Sequence, residues 1–320
     1  MTATAIEPLT PEWHEARRHG IGASEIAAVL GISPWESPLS LYWRKREGWE
    51  VEETEQMRTG RILEPAIAEW AAGALDCDAT GRVLVPCSLM AHPDRPWQLA
   101  TPDRILRQGV PCGPCDYGVM AECRCGETEP IAVVELKWTS TWDGWGDDGT
   151  DDIPVHYRAQ VLWQCDVVGV GEWYLAALGP GGFRLYSGRQ DPGDLAVMVE
   201  AGRRFVERLE RGDPPPIDDH HATVAALRRL HPDLDDVEAT VPDQIAAGYL
   251  RAVRMARLAE RVKQRYEAEL RAAMGSAHRA VTADGRRVAT RVITDIPEQT
   301  ITRAAHRRDY LLPPRERKTS

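Results

Sequence analysis

Apolar residues recur every three or four positions through long stretches of the chain and gather in short continuous runs elsewhere. The first pattern predicts helices and the second predicts strands. Residues 11–31 read as helical with a break at "GIGAS"; Ser24 stands where a cap for "EIAAVLG" belongs, and Gly31 where that helix should stop. A short helix ending near Gly48 follows in "SPWESPLSLYWRKREG". In "TGRILEPAIAEWAAGA", Ile62, Leu63, Ala66, Ile67 and Trp70 keep helical spacing, which puts Pro65 in a first turn. The runs "RVLVPCSL", "WQLATPDRILRQG" and "IAVVELKW" predict strands, and an acidic, Gly-rich loop over 140–154 reads as a flexible flap. "VHYRAQVLWQCDVVG" predicts a helix, "GEWYLAALGPGGFRLYSG" a hairpin turning at "GPGG", and "PGDLAVMVEAGRRFVERLERG" another helix. "DPPPIDD" reads as a linker. It separates a body over 1–216 from an extension over 217–320, a long charged helix with a narrow apolar stripe and then a hairpin turning at Asp284-Gly285.

One run breaks the pattern. "IAVVELKW" carries Glu135 and Lys137 inside apolar sequence, where a strand buried on both faces should carry no charge. Residues i and i+2 of a strand share a face, so the acid and the base point the same way. The upstream run "LATPDRIL" holds an isolated acid of its own, Asp103. If the two strands are neighbours, Asp103 and Glu135 converge, and two carboxylates repel unless a cation lies between them. Mg²⁺ suits such a pair, since it accepts one or two carboxylates plus phosphate oxygens and water. Lys137 beside it could orient or deprotonate a water, or stabilise developing charge. Taken alone, E-x-K equally describes a structural ion pair at a strand end.

Composition changes this picture little. The chain has 320 residues, 43% hydrophobic and 28% charged, enough for a sizeable core. No apolar run approaches the roughly 20 residues that span a bilayer, and "MTATAIEPLT" lacks the basic and apolar regions of a secretory signal. The expectation is a cytoplasmic protein with no membrane partner. The net charge of −10 argues against nucleic acid, but its distribution does not. Residues 245–320 hold 17 Lys and Arg against 8 Asp and Glu, a net +9, so the other 244 residues carry −19. A metal-dependent nuclease also gathers carboxylates at its site.

The remaining motifs decide between a structural pair and a metal site. "WHEARRHGIGASEIAAVLGISPW", "TGRILEPAIAEW", "ATPDRIL", "VVELKWTS" and "IPVHYRAQVLWQC" occur in that order. Together they resemble the PD-(D/E)XK nuclease superfamily, and within it the phage lambda-exonuclease-like group, the YqaJ-like viral recombinase family, over about residues 11–210. In the last motif Trp163 lies between the two glutamines as an extra residue.

The resemblance implies an α/β core of α+β type: a restriction-endonuclease-like central mixed β-sheet flanked by helices, with the C-terminal long helix and β-hairpin appended. It implies that Asp103, Glu135 and the Leu136 carbonyl hold one Mg²⁺, that Glu64 and Asp103 hold a second, and that Mn²⁺ can substitute. Lys137 would activate the water or stabilise the phosphate, and Gln160 would orient the site. Arg17, Ser24 and Thr101 match positions that receive a terminal 5′-phosphate. Trp13, one helical turn from Arg17, would stack or pack nearby. The implied activity is exonucleolytic, 5′ to 3′ on linear double-stranded DNA, leaving 3′ single strands for a single-strand annealing protein. A homotrimer in a bacterial or phage-infected host cytoplasm belongs to the same expectation. The alternatives are a PD-(D/E)XK endonuclease or Cas4-like nuclease, and a non-enzymatic DNA-binding scaffold.

The chain departs from the family between "TPD" and "ELK", where 31 residues separate Asp103 from Glu135. The insertion over 109–130 gathers Cys112, Cys115, Cys123 and Cys125 with spacing C-x2-C-x7-C-x-C. That spacing suits structural Zn²⁺; free thiols or an iron–sulfur cluster are the alternatives. Cys77, Cys87 and Cys165 show no partner pattern and read as buried apolar residues.

Overall fold

Helix α1 (Pro11–Arg18) begins where the Thr10 hydroxyl accepts the Trp13 N–H and Pro11 presets the first turn. This start belongs to a computed structural model that describes residues 10–108, 129–294 and 311. The four candidate zinc cysteines and most of the insertion lie outside the described residues. The chain divides into two units, Met1–Pro232 and Asp233–Ser320.

After α1 come strand β1 (Ile21–Gly22), a single 3-10 turn, and helices α2 (Ile26–Val29), α3 (Pro38–Glu47), α4 (Glu55–Ala74) and α5 (Cys77–Thr80). Strands β2 (Arg82–Pro86), β3 (Met90–His92), β4 (Arg95–Ala100), β5 (Arg104–Gln108) and β6 (Pro130–Trp138) follow. Helix α6 (Val155–Val168) crosses over to β7 (Glu172–Gly179), which turns back into β8 (Gly182–Arg189). Helices α7 (Pro192–Arg211) and α8 (His221–Leu230) complete the first unit.

The main sheet has the order β2-β5-β6-β7-β8 and is antiparallel except for the parallel pair β6–β7, which needs the α6 crossover. A smaller sheet has the order β1-β4-β3. On one face of the main sheet Ala132, Val134, Leu136, Leu106 and Ala176 pack with Ile67 and Ala71 of α4. On the other, Val133, Trp173, Leu175 and Ala177 pack with Val161, Leu162 and Trp163 of α6, Phe205 of α7 and Tyr42 of α3. Strand β6 is therefore central and covered on both faces, and Glu135 and Lys137 lie on the α6 side.

Four expectations need correction. Pro65 sits in the middle of α4, because that helix starts ten residues earlier, at Glu55, behind the cap Thr54, whose hydroxyl accepts the Met57 N–H. The N–H that Pro65 lacks would have met the Arg61 carbonyl, and both residues are exposed, so water satisfies that carbonyl. The acidic loop after β6 is a built strap along β8, not a flap. Gly149 N–H bonds the Leu185 carbonyl, Ser187 N–H bonds the Thr150 carbonyl, and Asp148 accepts the Leu185 N–H at 2.8 Å. The strap thereby covers the edge strand of the sheet. The first unit extends past residue 216 because α8 docks on α3: Thr223 Oγ1 lies 2.6 Å from Ser37 Oγ, and Thr223 and Ala226 are buried. Finally, Ser24 caps no helix, as the site geometry below shows.

In the second unit helix α9 (Asp243–Met274) has no buried residue, and the hairpin β9 (Arg279–Val281) and β10 (Arg287–Thr290) turns at Gly285, whose φ is 84°. No helix of the described residues is long and apolar enough to cross a membrane.

Candidate active site

Strand β5 begins at Arg104, paired with Val134, so Glu135, Leu136 and Lys137 run past the end of their neighbour. Asp103 takes the place of the missing strand: its Oδ2 accepts the Leu136 N–H at 2.8 Å. The Leu136 carbonyl faces the same side of the strand as that N–H. This fraying of β5 at "TPD" is what brings the two acids together.

The Glu135 carboxylate is 1% exposed and fully engaged. Its Oε1 accepts from Gln160 Nε2 at 2.5 Å and from Lys137 Nζ, and its Oε2 accepts from Gln164 Nε2 at 2.7 Å. Gln160 and Gln164 stand one turn apart on α6 and so share a face. Trp163 between them turns aside, its indole N–H bonding the Leu99 carbonyl at 3.1 Å. It is a core residue beside the two glutamines, which act as a pair. The motif read in the sequence includes Gln164 but gives it no role, although the i, i+4 spacing to Gln160 points to one.

Burial, followed by the Glu135 charge, pushes the Asp103 carboxyl up to about 7, against the pull of Lys137 and the Leu136 N–H. Lys137 goes the other way. Burial would lower it, but Glu135 and Asp103 outweigh that and hold the ammonium charged, above its ordinary value. A lysine held in this way offers positive charge and is a poor base. Glu64 stands further out on α4, accepting from Arg104 Nη1 at 2.9 Å.

Asp103 and Glu135, with the Leu136 carbonyl beside them, are hard oxygen donors that repel each other, which fits a divalent cation. No group of three or more His, Cys, Asp or Glu side chains forms a preformed cage among the described residues. Arg104 holds Glu64, and three N–H donors hold Glu135, so a cation here competes with those contacts.

The second half of the site lies in the same cavity of about 400 Å³, lined by Trp13, Arg17, Ser24 and Thr101 together with Glu64, Asp103, Glu135, Lys137 and Gln160. Arg17 lies over the Trp13 ring at 4.3 Å, and Trp13 Nε1 donates to Thr101 Oγ1 at 3.3 Å. Arg17 Nη2 donates to Ser24 Oγ at 3.1 Å. Helix α2 is only four residues long, and the cap of the preceding turn is Gly22, whose N–H is taken by Glu25 Oε2 at 2.8 Å. Ser24 is thus a hydroxyl beside a guanidinium rather than the start of a helix.

Glu25, missed by the sequence reading, underlies this half of the site. It is 3% exposed and meets three cations: Arg17 Nη2 at 3.1 Å, Arg44 Nη2 at 2.9 Å and Lys45 Nζ at 2.8 Å. Burial alone would raise its pKa; Arg17, Lys45 and Arg44 outweigh it and hold the carboxyl well below the usual range. Cys87 also lines the cavity, half-buried, while Cys77 and Cys165 are buried as expected. Burial pushes the Cys87 thiol up to about 11 and Cys165 to about 12, so both stay protonated near neutrality. A larger hollow between α4 and β8, around Trp70 and Phe183, holds a single acid, Glu69, and none of these groups.

A glycine allows one clean test of this arrangement. A Cβ on Gly22 would lie 2.6 Å from Arg17 Nη2 and 3.0 Å from its Cζ and Nε, so the guanidinium must yield. Gly22→Ala should therefore move it away from Ser24 and strain its pair with Glu25, at a cost of roughly 1–3 kcal/mol. If Arg17 and Ser24 receive a terminal 5′-phosphate, as the sequence resemblance implies, the expected result is a loss of discrimination between 5′-phosphorylated and 5′-hydroxyl DNA ends by roughly tenfold or more, the worth of a charge-assisted hydrogen bond. Comparing initial rates on the two ends, alongside thermal melts, checks it.

A mixed sheet flanked by helices, with an aspartate at the frayed end of one strand and E-x-K on its central neighbour, is the PD-(D/E)XK fold. Residues 12–170 match the YqaJ-like viral recombinase domain. The uncharacterized protein YqaJ of Bacillus subtilis (strain 168) is 27% identical over 207 residues, which cover 63% of this chain and 50% of that protein. The chain thus spans about half the length of this relative. Two solved structures show looser likeness. LHK-Exo in complex with dAMP is 18% identical with a TM-score of 0.45, covering 69% of this chain and 97% of that one. The alkaline exonuclease LHK-Exo from Laribacter hongkongensis is 20% identical with a TM-score of 0.44, covering 64% and 94%.

Proposed function

We propose that the chain is a Mg²⁺-dependent DNA exonuclease that resects one strand of linear duplex DNA from its 5′ end, leaving 3′ single strands for recombination by strand annealing. The observation that carries this reading is that one cavity holds two sets of groups. Asp103, Glu135 and Lys137 suit phosphodiester hydrolysis, and Arg17, Ser24 and Thr101 suit a terminal phosphate. Asp103, Glu135 and the Leu136 carbonyl would hold the metal, with Glu64 assisting at a second; Mn²⁺ has the same donor preference. When bound, the cation supplies an activated water and charge neutralisation at the phosphate.

The other steps belong to the chain's own residues. Gln160 and Gln164 fix the plane of Glu135. Lys137 keeps its proton and places positive charge beside the phosphate oxygens as they gain charge. Arg17 and Ser24 grip the phosphate that ends the strand, so the spacing between the two sets determines where the strand is cut. A ring-shaped homotrimer, a single-strand annealing partner and a cytoplasmic setting belong to the same reading, as does a structural Zn²⁺ on Cys112, Cys115, Cys123 and Cys125.

The test is digestion of linear duplex bearing 5′-phosphate or 5′-hydroxyl ends, and of closed circular duplex, with Mg²⁺ or EDTA. The expected result is metal-dependent release of nucleotides from linear DNA, faster from phosphorylated ends, with closed circles intact. Equal cutting of circles and linear molecules would replace the exonuclease reading with an endonuclease.

A further inference from the structure

Trp35 is 62% exposed, which is unusual for the largest apolar side chain. Its exposure does not come from a loose loop. Ser33 Oγ accepts the N–H groups of both Trp35 and Glu36, each at 3.2 Å. The Ser33 carbonyl lies 3.1 Å from His220 Nε2, and Glu36 grips Arg44 at 2.7 and 3.0 Å. The ring is thus held out into solvent by an anchored turn.

Its neighbours lead straight to the candidate catalytic lysine. Trp35 meets His156 edge-on, with ring centroids 4.8 Å apart, and Tyr157 at 6.1 Å. The Tyr157 ring lies 5.3 Å from Lys137 Nζ. Trp35, His156 and Tyr157 form a continuous aromatic ledge from Lys137 to solvent. Burial and the Lys137 charge push the His156 imidazole down to about 4, so the ledge is uncharged near neutrality and brings no charge to attract a phosphate. The rings are tilted to one another, Trp35 standing at 82° to His156, so it is the exposed face of the Trp35 indole, held rigidly by its neighbours, that suits a nucleobase face. The ledge lies two ring contacts from Lys137, within a few base steps of about 3.4 Å each.

We propose that Trp35, backed by His156 and Tyr157, stacks an unpaired base of the DNA strand next to the cleavage point, and so holds the strands apart at the end being digested. This rests on the nuclease reading above. The stack supplies binding and not chemistry, and it is tolerant of sequence, because every base has a π-face.

The experiment crosses protein and DNA changes in the full-length protein. Wild type, Trp35→Ala and Trp35→Phe are assayed with Mg²⁺ on a 5′-phosphorylated duplex, intact or with one abasic site at successive positions from the 5′ end. Trp35→Ala should raise KM about tenfold with kcat little changed, and Trp35→Phe should stay near wild type. At one position the abasic site should raise the wild-type KM to a similar extent, and Trp35→Ala should be indifferent to it. If the effects of Trp35→Ala and the abasic site add at every position, or if Trp35→Ala leaves KM unchanged, the inference is overturned. Thermal melts that match wild type exclude misfolding, and the Phe variant gives the same comparison if Ala does not fold. An Asp103→Asn variant run alongside separates the two ideas. Retained activity in that variant sinks the nuclease site, whereas its loss combined with additive Trp35 effects sinks only the stacking.

Discussion

Asp103→Asn is expected to lower Mg²⁺-supported hydrolysis by roughly 10³-fold or more while making the metal-free protein more stable near and above neutral pH. The rate loss follows from removing one of two carboxylates that would hold the cation, whose transition-state stabilisation amounts to several kcal/mol, each 1.36 kcal/mol being tenfold. The stability gain follows from the raised pKa. Asp103 is pushed up to about 7 by burial and by Glu135, so the fold disfavours its charge. The ordinary value is near 4, so the fold is penalised increasingly as pH rises from about 4 to 7 and fully above that. Asparagine keeps an acceptor for the Leu136 N–H and removes the penalty. A folding defect could not mimic this result, since activity and melting temperature move in opposite directions. Calorimetric melts of both proteins with and without Mg²⁺ check it. Added Mg²⁺ should stabilise the wild type, because ligand binding to the folded state raises its stability, and should leave Asp103→Asn unmoved. An Asp103→Asn protein that melts lower than wild type at pH 8 would show that the carboxylate is structural.

The hydrolytic half of the site was readable because strand and helix periods carry it. Glu135 and Lys137 share a face by the two-residue period, and Gln160 faces them from a helix whose period also predicts Gln164. Asp103 was readable as an isolated acid, but not its means of approach, which depends on β5 ending opposite Val134. The half of the site proposed to receive the phosphate was readable only by resemblance. Glu25 sits in a short apolar segment that looks like an ordinary capped helix, and Lys45 sits in "WRKREG", which looks like a solvated basic helix end. Nothing in local spacing says that these two meet 20 residues apart, because tertiary packing of α3 on the 3-10 turn creates the contact. Pro65 misled for a related reason: propensity forbids a mid-helix proline, but an exposed carbonyl can be satisfied by water. The acidic strap misled because its composition is that of a mobile loop, while its order comes from hydrogen bonds to β8.

Glu25→Ala is expected to destabilise the protein by about 3–5 kcal/mol, the usual cost of removing one partner from a buried ion pair. For a unit of this size that lowers the melting temperature by roughly 10 °C. The reason is the charge balance around it. Arg17, Arg44 and Lys45 face two acids, Glu25 and Glu36, so the cluster already carries one positive charge in excess. Lys45, nine-tenths or more buried, also donates to the Arg17 carbonyl at 2.7 Å. Burial, with Arg44 and Arg17 nearby, already pushes it down to about 8 despite Glu25. Removing Glu25 leaves three cations against one acid, Glu36, which bonds Arg44, and Lys45 should then lose its proton more readily. Glu25→Gln keeps an acceptor for the Gly22 N–H and should fall between wild type and Ala. The pH dependence separates charge from packing. The Glu25 carboxyl is held below its ordinary value, so its contribution is complete above about pH 4.5 and is lost as pH falls toward the folded-state pKa. Wild type should therefore lose stability in acid, and the part of that loss due to Glu25 should be missing from Glu25→Gln. Parallel acid slopes in denaturant melts of the two proteins would exclude this role for Glu25. The excess charge also suits a chain of net charge −10 to the anion proposed for this site. The receptor is a local surplus held in place by one buried carboxylate, with Arg17 as the cation that reaches the cavity.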